Sequence, residues 1–341
     1  MTPTRTAPDE TALSTIRQEI AGADRFLLTS HQSPDGDSIG SQVAMAFALR
    51  ALGKTVRLVN RDLAPDVYLG LPGVSDIEIA DRVDGTFDLV LVMECPDLSR
   101  PGVVGLDRFR ILNMDHHEGN TLYGAVNWYD PSAAACGELV ADVIDVLGVA
   151  WSPAIATHLY VAILTDTGSF RHGNITARTF ECCRRAVEAG VDAAGLARLI
   201  LDSGSAGKLR LIGAMLDAMV LEADGRVALL HLDDDLLAAT GATRDDTEGL
   251  VNLPLSAREV QAVALFRCER SSPGCRVSLR SKGSIDVRSI ATTHGGGGHR
   301  NAAGFTLSGP LAEGRLLVAD ALARAVEDDE RRVTDPAPSE P

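Results

Sequence analysis

Short runs of branched apolar residues alternate with longer helical patterns through the first half of the chain. The runs typical of central parallel strands, which are covered on both faces, are Arg25–His31, Thr55–Asn60, Phe87–Met93 and Phe109–Asp115. Apolar residues at helical spacing predict helices at about Ser38–Leu52, Ala133–Leu147, Ser152–Leu164 and Ala177–Ala189. Strands that alternate with helices in this way predict an α/β domain built on a doubly wound, mainly parallel sheet.

The pattern changes after about residue 195. A helical stretch near Ala206–Val220 precedes three further strand patterns, at Val227–Leu232, Val260–Glu269 and Cys275–Ser281. Their spacing predicts a smaller, mixed α/β domain. The domains that follow are 13–195 and 217–328, with a helical linker at 196–216 and disordered polar tails at 1–12 and 329–341.

Composition limits the class of protein. The chain has 341 residues, 45% of them hydrophobic and 23% charged, so it can bury a full core and is not globally disordered. The N-terminus is polar, and no apolar run approaches the ~20 residues that a membrane span needs. We therefore expect a cytoplasmic protein, with no membrane partner and with its six cysteines reduced. The absence of a C-x-x-C pair argues against a zinc ribbon.

Four polar clusters lie at the ends of predicted strands or helices, where open α/β sheets bind ligands. Their acidic and imidazole residues are His31, Asp35 and Asp37; Glu94 and Asp97; Asp115, His116 and His117; and Asp166. Each cluster alone has an ordinary explanation as a turn, a helix cap or a core histidine. These ordinary explanations do not account for the four clusters together. Carboxylates gathered at one sheet edge repel one another unless cations lie between them.

The donor types indicate which cations these would be. Carboxylates with a few imidazoles form a hard, oxygen-rich set that suits Mn²⁺ or Mg²⁺ better than a thiolate-bound metal. Four or five carboxylates are enough for two dications, which can activate a water and hold a phosphoryl oxygen. The predicted chemistry is hydrolysis of a phosphoester.

A fifth cluster, GGGGHRNAAG at Gly295–Gly304, follows the basic segment Ser278–Lys282. Consecutive glycines let backbone N–H groups approach an anion and form a nest, and Arg280 could bind a phosphate through its planar fork. A flexible glycine-rich loop is the alternative. The surrounding residues 256–305 hold eight Lys or Arg against three Asp or Glu, which favours the anion site.

These motifs resemble the DHH phosphoesterase superfamily. Asp115-His116-His117, with H-x-x-x-D-x-D upstream and T-D-T-G downstream, is similar to its metal-binding domain. GGGGHRNAAG is similar to the DHH-associated C-terminal domain, and the strings together are most similar to the nanoRNase/pAp-phosphatase branch. The resemblance spans about residues 14–328.

The resemblance implies a role for each matching position. His31 and Asp35 would hold one Mn²⁺, and Asp37, His116 and Asp166 would hold the other. Glu94 stands where the family has a bridging aspartate, which is a departure from the pattern, and Asp97 is a candidate to share that role. His117 and Asp115 would be catalytic, His117 facing the phosphate and Asp115 orienting an imidazole. The implied substrate-binding residues are Arg280, Ser281, Gly295, Gly296, Gly297, Gly298 and His299.

The implied substrates are RNA oligomers of about two to five nucleotides, linear dinucleotides and small 3′-phosphonucleotides such as 3′-phosphoadenosine 5′-phosphate. The resemblance also implies an active-site cleft between the domains and a homodimer. The formal charge of −15 argues against a long nucleic-acid track but not against a short, metal-neutralised pocket. Three alternatives remain open: a single-strand DNA exonuclease, a manganese pyrophosphatase, and a nucleotide-binding regulatory module with an impaired metal site.

Overall fold

The computed structural model describes residues 9–171, 173–247, 249–270 and 274–334. The chain divides into two compact units, Met1–Ser203 and Gly204–Pro341. The division falls inside the segment 196–216 that the sequence marks as a linker. Within the described ranges, no helix is both long and apolar enough to cross a bilayer.

The N-terminal unit is built on six parallel strands in the order β3-β2-β1-β4-β5-β6. The strands are β1 (Arg25–Thr29), β2 (Thr55–Asn60), β3 (Ile77–Ile79), β4 (Leu89–Met93), β5 (Ile111–Asp115) and β6 (Val126–Tyr129). This confirms the predicted parallel sheet. The strand order reverses between β1 and β4, and in open α/β sheets such a switch point places a ligand site at the carboxyl ends of the strands.

Six helices of this unit share one core on one side of the sheet. They are α1 (Glu10–Ala21), α2 (Gly36–Ala51), α3 (Cys136–Val146), α4 (Pro153–Asp166), α5 (Ala177–Glu188) and α6 (Ala193–Leu201). Of these, α1, α2 and α3 pack against its strands, and α4, α5 and α6 pack against other helices. The apolar side chains of the six helices form one core with alternate residues of the central strands, such as Leu28 and Leu91. The opposite face, with Leu27 and Val90, packs under irregular segments that contribute Val83, Val103 and Leu106.

The C-terminal unit is a mixed α/β structure, as predicted. Its sheet has the order β11-β12-β10-β9-β8-β7, with only the pair β8–β9 parallel. Its strands are β7 (Val220–Glu222), β8 (Val227–Asp233), β9 (Ala262–Cys268), β10 (Gly274–Ser281), β11 (Gly297–His299) and β12 (Ala302–Ser308). Its helices are α7 (Ala206–Asp217), α8 (Asp234–Thr240), α9 (Val287–Thr293) and α10 (Leu311–Thr334).

The predicted tails are shorter than expected. Asp9 caps α1 by accepting hydrogen bonds from the backbone of Thr11 and Ala12, so residues 10–12 are helical. At the other end, α10 continues to Thr334; its last buried apolar residue is Val326, and beyond it Glu330 pairs with Arg226 at 2.5 Å. The prediction of a tail was therefore wrong for residues 10–12 and 329–334. Residues 1–8 and 335–341 lie outside the described residues.

The expectation that all cysteines are reduced is also wrong for one pair. Cys268 on β9 and Cys275 on β10 are directly opposite each other in the antiparallel ladder and form a disulfide. Sequence spacing could not show this, because the pairing depends on the register of the two strands. The other four cysteines are free thiols.

Close packing of α2 on α4 fixes the relative position of two segments that carry acidic residues. A Cβ at Gly40 of α2 would lie 2.5 Å from the backbone oxygen of His158 and 3.0 Å from the Cβ of Ala162, both on α4. Only glycine allows the two helix backbones to approach this closely. The start of α2 and the end of α4 are held together as a result.

We expect Gly40→Ala to destabilise the N-terminal unit by about 1–3 kcal/mol, because the added methyl meets backbone that cannot move aside. The chain has two tryptophans, Trp128 and Trp151, and both lie in this unit, so intrinsic fluorescence follows its urea unfolding alone. Gly70→Ala is the matched control, since a Cβ there meets nothing within 4 Å. Equal stability of the two variants would contradict the packing argument.

Candidate active site

Most of the acidic and imidazole residues singled out from the sequence lie at the carboxyl edge of the parallel sheet. Asp35 and Asp37 come at the start of α2, which follows β1, and Asp166 is the last residue of α4. Glu94 follows β4 directly, and His116 follows β5. The strand order and the packing of α2 on α4 thus bring together residues up to 131 positions apart in the chain.

His116 is the centre of this group. Its Nε2 lies 3.2 Å from Oε1 of Glu94, 3.7 Å from Oδ2 of Asp166 and 3.9 Å from Oδ2 of Asp37. Its Nδ1 lies 3.0 Å from the carbonyl oxygen of Ala133, which accepts its proton and so turns Nε2 towards the acids. Burial opposes protonation of the ring, but the three carboxylates outweigh it and hold the pKa of His116 well above its usual value.

Asp37 is the most deeply buried acid of the group. Its side chain is 1% exposed and accepts hydrogen bonds from the backbone of Cys136 (2.6 Å) and Gly137 (3.0 Å), at the N-terminus of α3. Ser41 donates a third, at 2.9 Å. Even so, burial and the neighbouring charges of Glu94 and Asp166 hold the pKa of Asp37 well above its usual value. The negative charge gathered here is therefore only partly compensated by the protein.

Two features of Glu94 are typical of a functional residue. Its backbone adopts φ +60°, in the left-handed region that a residue with a side chain rarely adopts. Its Oε2 atom is buried and has no hydrogen-bond partner among the described residues. Such an orphaned carboxylate oxygen is unfavourable in a closed site unless a cation lies against it.

His117 lies beside Glu94, with its Nδ1 3.6 Å from Oε1 of Glu94, and is hydrogen-bonded to Asp115. Asp115 is fully buried, and its Oδ1 lies 2.9 Å from Nδ1 of His117. Asn120 donates to the other oxygen of Asp115 at 2.6 Å. Burial works against the charged ring, yet the hydrogen bond to Asp115 and the charge of Glu94 raise the pKa of His117. His117 is thus held in one orientation and favoured in its protonated form.

His31 and Asp35 form a pair of their own, and Asp97 stands apart. Nε2 of His31 lies 3.7 Å from Oδ1 of Asp35, while Nδ1 lies 2.8 Å from the carbonyl oxygen of Gln32. The side chain of Asp35 also accepts a hydrogen bond from the backbone of Ser38 and so caps α2. Asp35 is therefore a helix cap as well as a candidate metal ligand. Asp97 accepts hydrogen bonds from the backbone and hydroxyl of Ser99 in an exposed turn. Of the two acids, Glu94 is the one that contacts His116 and His117.

The donor set fits divalent cations. One group of possible ligand atoms belongs to Asp37, His116 and Asp166, and another belongs to Glu94, His116 and His117; within each group the atoms lie within 4.8 Å of one another. Carboxylate oxygens dominate, with imidazole nitrogens beside them, which suits Mn²⁺ or Mg²⁺. The orphaned oxygen of Glu94 and the crowding of acids around His116 both indicate that a cation completes the site.

The predicted substrate-binding residues lie together at one edge of the second sheet. Arg280 and Ser281 end β10, and His299 ends the edge strand β11. Ser281 is buried, donates to the carbonyl of Ile285 at 2.8 Å and accepts from Asn301 at 3.0 Å. Its hydroxyl is therefore engaged within the fold, whereas Arg280 donates its described hydrogen bond to the carbonyl of Leu279.

The four glycines do not form the loop expected of an anion nest. Gly295 follows the C-cap of α9, and Gly297 and Gly298 belong to β11, paired with β12. A Cβ at Gly296 would lie 2.1 Å from the carbonyl oxygen of Gly304, and Gly298 adopts φ +137°. Two of the glycines are thus required by the hairpin itself. Gly297 differs, because it is exposed and a Cβ there would meet nothing within 4 Å.

Several site residues were missed from the sequence. The backbone N–H groups of Cys136 and Gly137, and the carbonyl of Ala133, carry no signature in residue type. Asn120 could have been found, since it lies within the HHEGN string and is a polar residue close to two histidines. Its contact with Asp115 makes it part of the support for His117.

Comparison with known proteins agrees with this geometry. Residues 25–163 match the DHH family, N-terminal domain, and residues 227–328 match the DHHA1 domain. The crystal structure of an exopolyphosphatase-related protein from Bacteroides fragilis is similar, with a TM-score of 0.86, 25% identity and coverage of 94% of this chain and 97% of that one.

Two relatives carry related names. A probable bifunctional oligoribonuclease and PAP phosphatase NrnA of Streptococcus mutans is 28% identical over 302 residues, covering 86% of this chain and 93% of that protein. The bifunctional oligoribonuclease and PAP phosphatase NrnA of Thermus thermophilus is 35% identical over 285 residues, covering 83% of this chain and 84% of that protein. The chain therefore belongs to the DHH family, in the group that includes NrnA of Thermus thermophilus.

Proposed function

We propose that this protein is a two-metal phosphoesterase that hydrolyses RNA of about two to five nucleotides, including linear dinucleotides, and converts 3′-phosphoadenosine 5′-phosphate to AMP. The observation that carries the proposal is the cluster of Asp37, Glu94 and Asp166 around His116 at the switch point of the sheet. The similarity to proteins named bifunctional oligoribonuclease and PAP phosphatase supplies the substrate class.

The ligands divide into two sets. His31 and Asp35 would hold one Mn²⁺, Asp37, His116 and Asp166 would hold the other, and Glu94 would bridge them. Two such cations supply an activated water and neutralise charge on the phosphoryl oxygens. Manganese is proposed over magnesium because imidazole nitrogens stand among the carboxylates.

The remaining residues handle the proton and the orientation of the substrate. His117 is held by Asp115 and favoured in its protonated form, so it can stabilise the phosphate charge or protonate the leaving oxygen. Asp115 and Asn120 act through His117 as positioning residues. Arg280 and His299, beside the glycine-rich strand, bind the far phosphate or base of the substrate.

Of the alternative functions, the regulatory module with an impaired metal site is suggested by the glutamate at position 94, where the family has an aspartate. Glu94 lies within 3.6 Å of both His116 and His117, so the longer side chain still reaches the cluster of candidate ligands. This favours an intact metal site. The exonuclease predicts a long basic track with interleaved aromatic residues, and only 4% of this chain is aromatic.

Asp37→Asn should lower the rate of Mn²⁺-dependent hydrolysis of a labelled dinucleotide by at least about 100-fold, because a carboxylate ligand is lost. It should also abolish the rise in melting temperature that Mn²⁺ produces in the parent protein, since a ligand that binds only the folded state stabilises it. Asp97→Asn removes the same charge at the same sheet edge and should leave both readouts unchanged. Hydrolysis that survives a chelator would contradict the metal assignment.

Glu94→Asp tests the departure from the family pattern. The shorter side chain withdraws the carboxylate from His116 and from the metals, while Glu94→Gln keeps the length and removes the charge. We expect Glu94→Gln to lose activity and the Mn²⁺-dependent rise in melting temperature. We expect Glu94→Asp to retain both but to change the relative rates with Mn²⁺ and Mg²⁺. If Glu94→Gln remains fully active with Mn²⁺, Glu94 is not a ligand.

Gly297→Ala tests whether the glycine-rich strand contacts substrate. The hairpin accommodates a methyl there, so the melting temperature should not change, while the KM for a dinucleotide should rise roughly fivefold because the methyl obstructs close approach. Gly298→Ala is the comparison, and it should lower the melting temperature because its Cβ would lie 2.5 Å from the carbonyl oxygen of Ala302. An unchanged KM in Gly297→Ala would place the substrate elsewhere.

A further inference from the structure

On one face of the second sheet, the apolar cover lies over β8 and β9 and, in the described part of the chain, reaches β10 only through the segment Leu250–Ser256. On β10, Val277 and Leu279 point into the core that contains α9 and α10, so the alternating Arg276, Ser278 and Arg280 lie on the opposite face. Among the described residues, the apolar cluster on that opposite face draws its strand residues from β8 and β9 only. The face formed by β10, β12 and β11 is therefore lined by polar and small side chains.

Strand register divides this face, here called the open face, into three rows. The first row holds Arg280, Ala302 and His299, and the second holds Ser278, Gly304 and Gly297. The third holds Arg276, with Thr306 on one side and Arg267 on the other. The first two rows contain residues already proposed to bind substrate, whereas the third contains none of them.

The third row places two arginines directly opposite each other. Like charges in this arrangement destabilise a sheet. The half-buried Arg267 donates to the hydroxyl of Thr247 at 2.8 Å, and the nearby Glu269 and Asp234 pair with Arg244, at 3.2 and 3.7 Å. Arg276 is exposed and forms no ion pair with a carboxylate anywhere in the described ranges.

A phosphate fits this row better than a protein partner does. It would bind two adjacent guanidinium groups at once and relieve their repulsion. Ser278 and its partner Gly304 lie between Arg276 and Arg280 on this face, and neither has a large side chain. Burial, together with the charges of Arg276 and Arg244, lowers the pKa of Arg267, as expected for cations that lie close together.

We propose that Arg276 and Arg267 bind a backbone phosphate of RNA substrates longer than a dinucleotide, as an extension of the site at Arg280. Arg276 and Arg280 are four residues apart on one strand, so their Cα atoms are separated by about 13 Å. A dinucleotide or a nucleoside bisphosphate anchored at Arg280 ends before the third row. A trimer to pentamer reaches it and gains an additional charged contact.

The inference rests on the proposed substrate class. A binding measurement made without cleavage tests it separately from the proposed reaction. The probe is 5′-fluorescein-labelled RNA of two and of five nucleotides, titrated with the full chain in a chelator so that no cleavage occurs. Arg276→Gln should weaken binding of the pentanucleotide roughly tenfold and change binding of the dinucleotide less than twofold. The slope of log K against log salt for the pentanucleotide should fall by about 0.7, as for one lost phosphate contact on a single strand.

Arg324→Gln is the matched control. Arg324 lies on α10, which packs on the other face of the sheet, and its side chain is 68% exposed. The Arg324→Gln substitution should change neither the affinity for either RNA nor the slope of log K against log salt. Equal losses for both RNA lengths in Arg276→Gln, or no loss for the pentanucleotide, would overturn the proposal. Length-dependent binding in a protein that cleaves no RNA with Mn²⁺ would instead support this inference and contradict the proposed function.

Discussion

The N-terminal unit is organised around the repulsion of three acids that converge on His116. Asp37, Glu94 and Asp166 would lower their energy by moving apart, and burial adds to the cost of the charge at Asp37 and Asp166. The N-terminus of α3 and the His116 ring offset only part of this cost. A site that stays assembled under such strain is one that cations complete, and the rest of the unit holds it in place.

Three features resist the repulsion. The glycine contact between α2 and α4 fixes Asp37 relative to Asp166, because neither helix backbone can shift without opening the core. The left-handed backbone at Glu94 redirects the chain at the end of β4 and so aims its carboxylate at both histidines. Asp115 and Asn120 then fix the ring of His117. Close packing around the site thus offsets the cost of the crowded charges and of the left-handed backbone at Glu94.

The C-terminal unit contributes a different kind of surface. Its sheet is covered on one face by α9 and α10, while the open face keeps small residues between basic ones. The hairpin of β11 and β12 needs glycine at positions 296 and 298 for its own packing, so part of the glycine-rich motif serves the fold. Rows of arginine at fixed strand spacing give such a face a built-in sensitivity to the length of a polyanion.

The sequence by itself determined the fold class, the family and the identity of nearly every candidate ligand, because strand periodicity and motif spacing are local properties. It did not determine α1, the length of α10 or the Cys268–Cys275 pairing, which depend on contacts between distant segments. Nor did it show that the glycine-rich motif is a strand, since that follows from pairing with β12. Tertiary structure alone decided the distances of the acids from His116 and that Arg276 faces Arg267, because strand order and register set them.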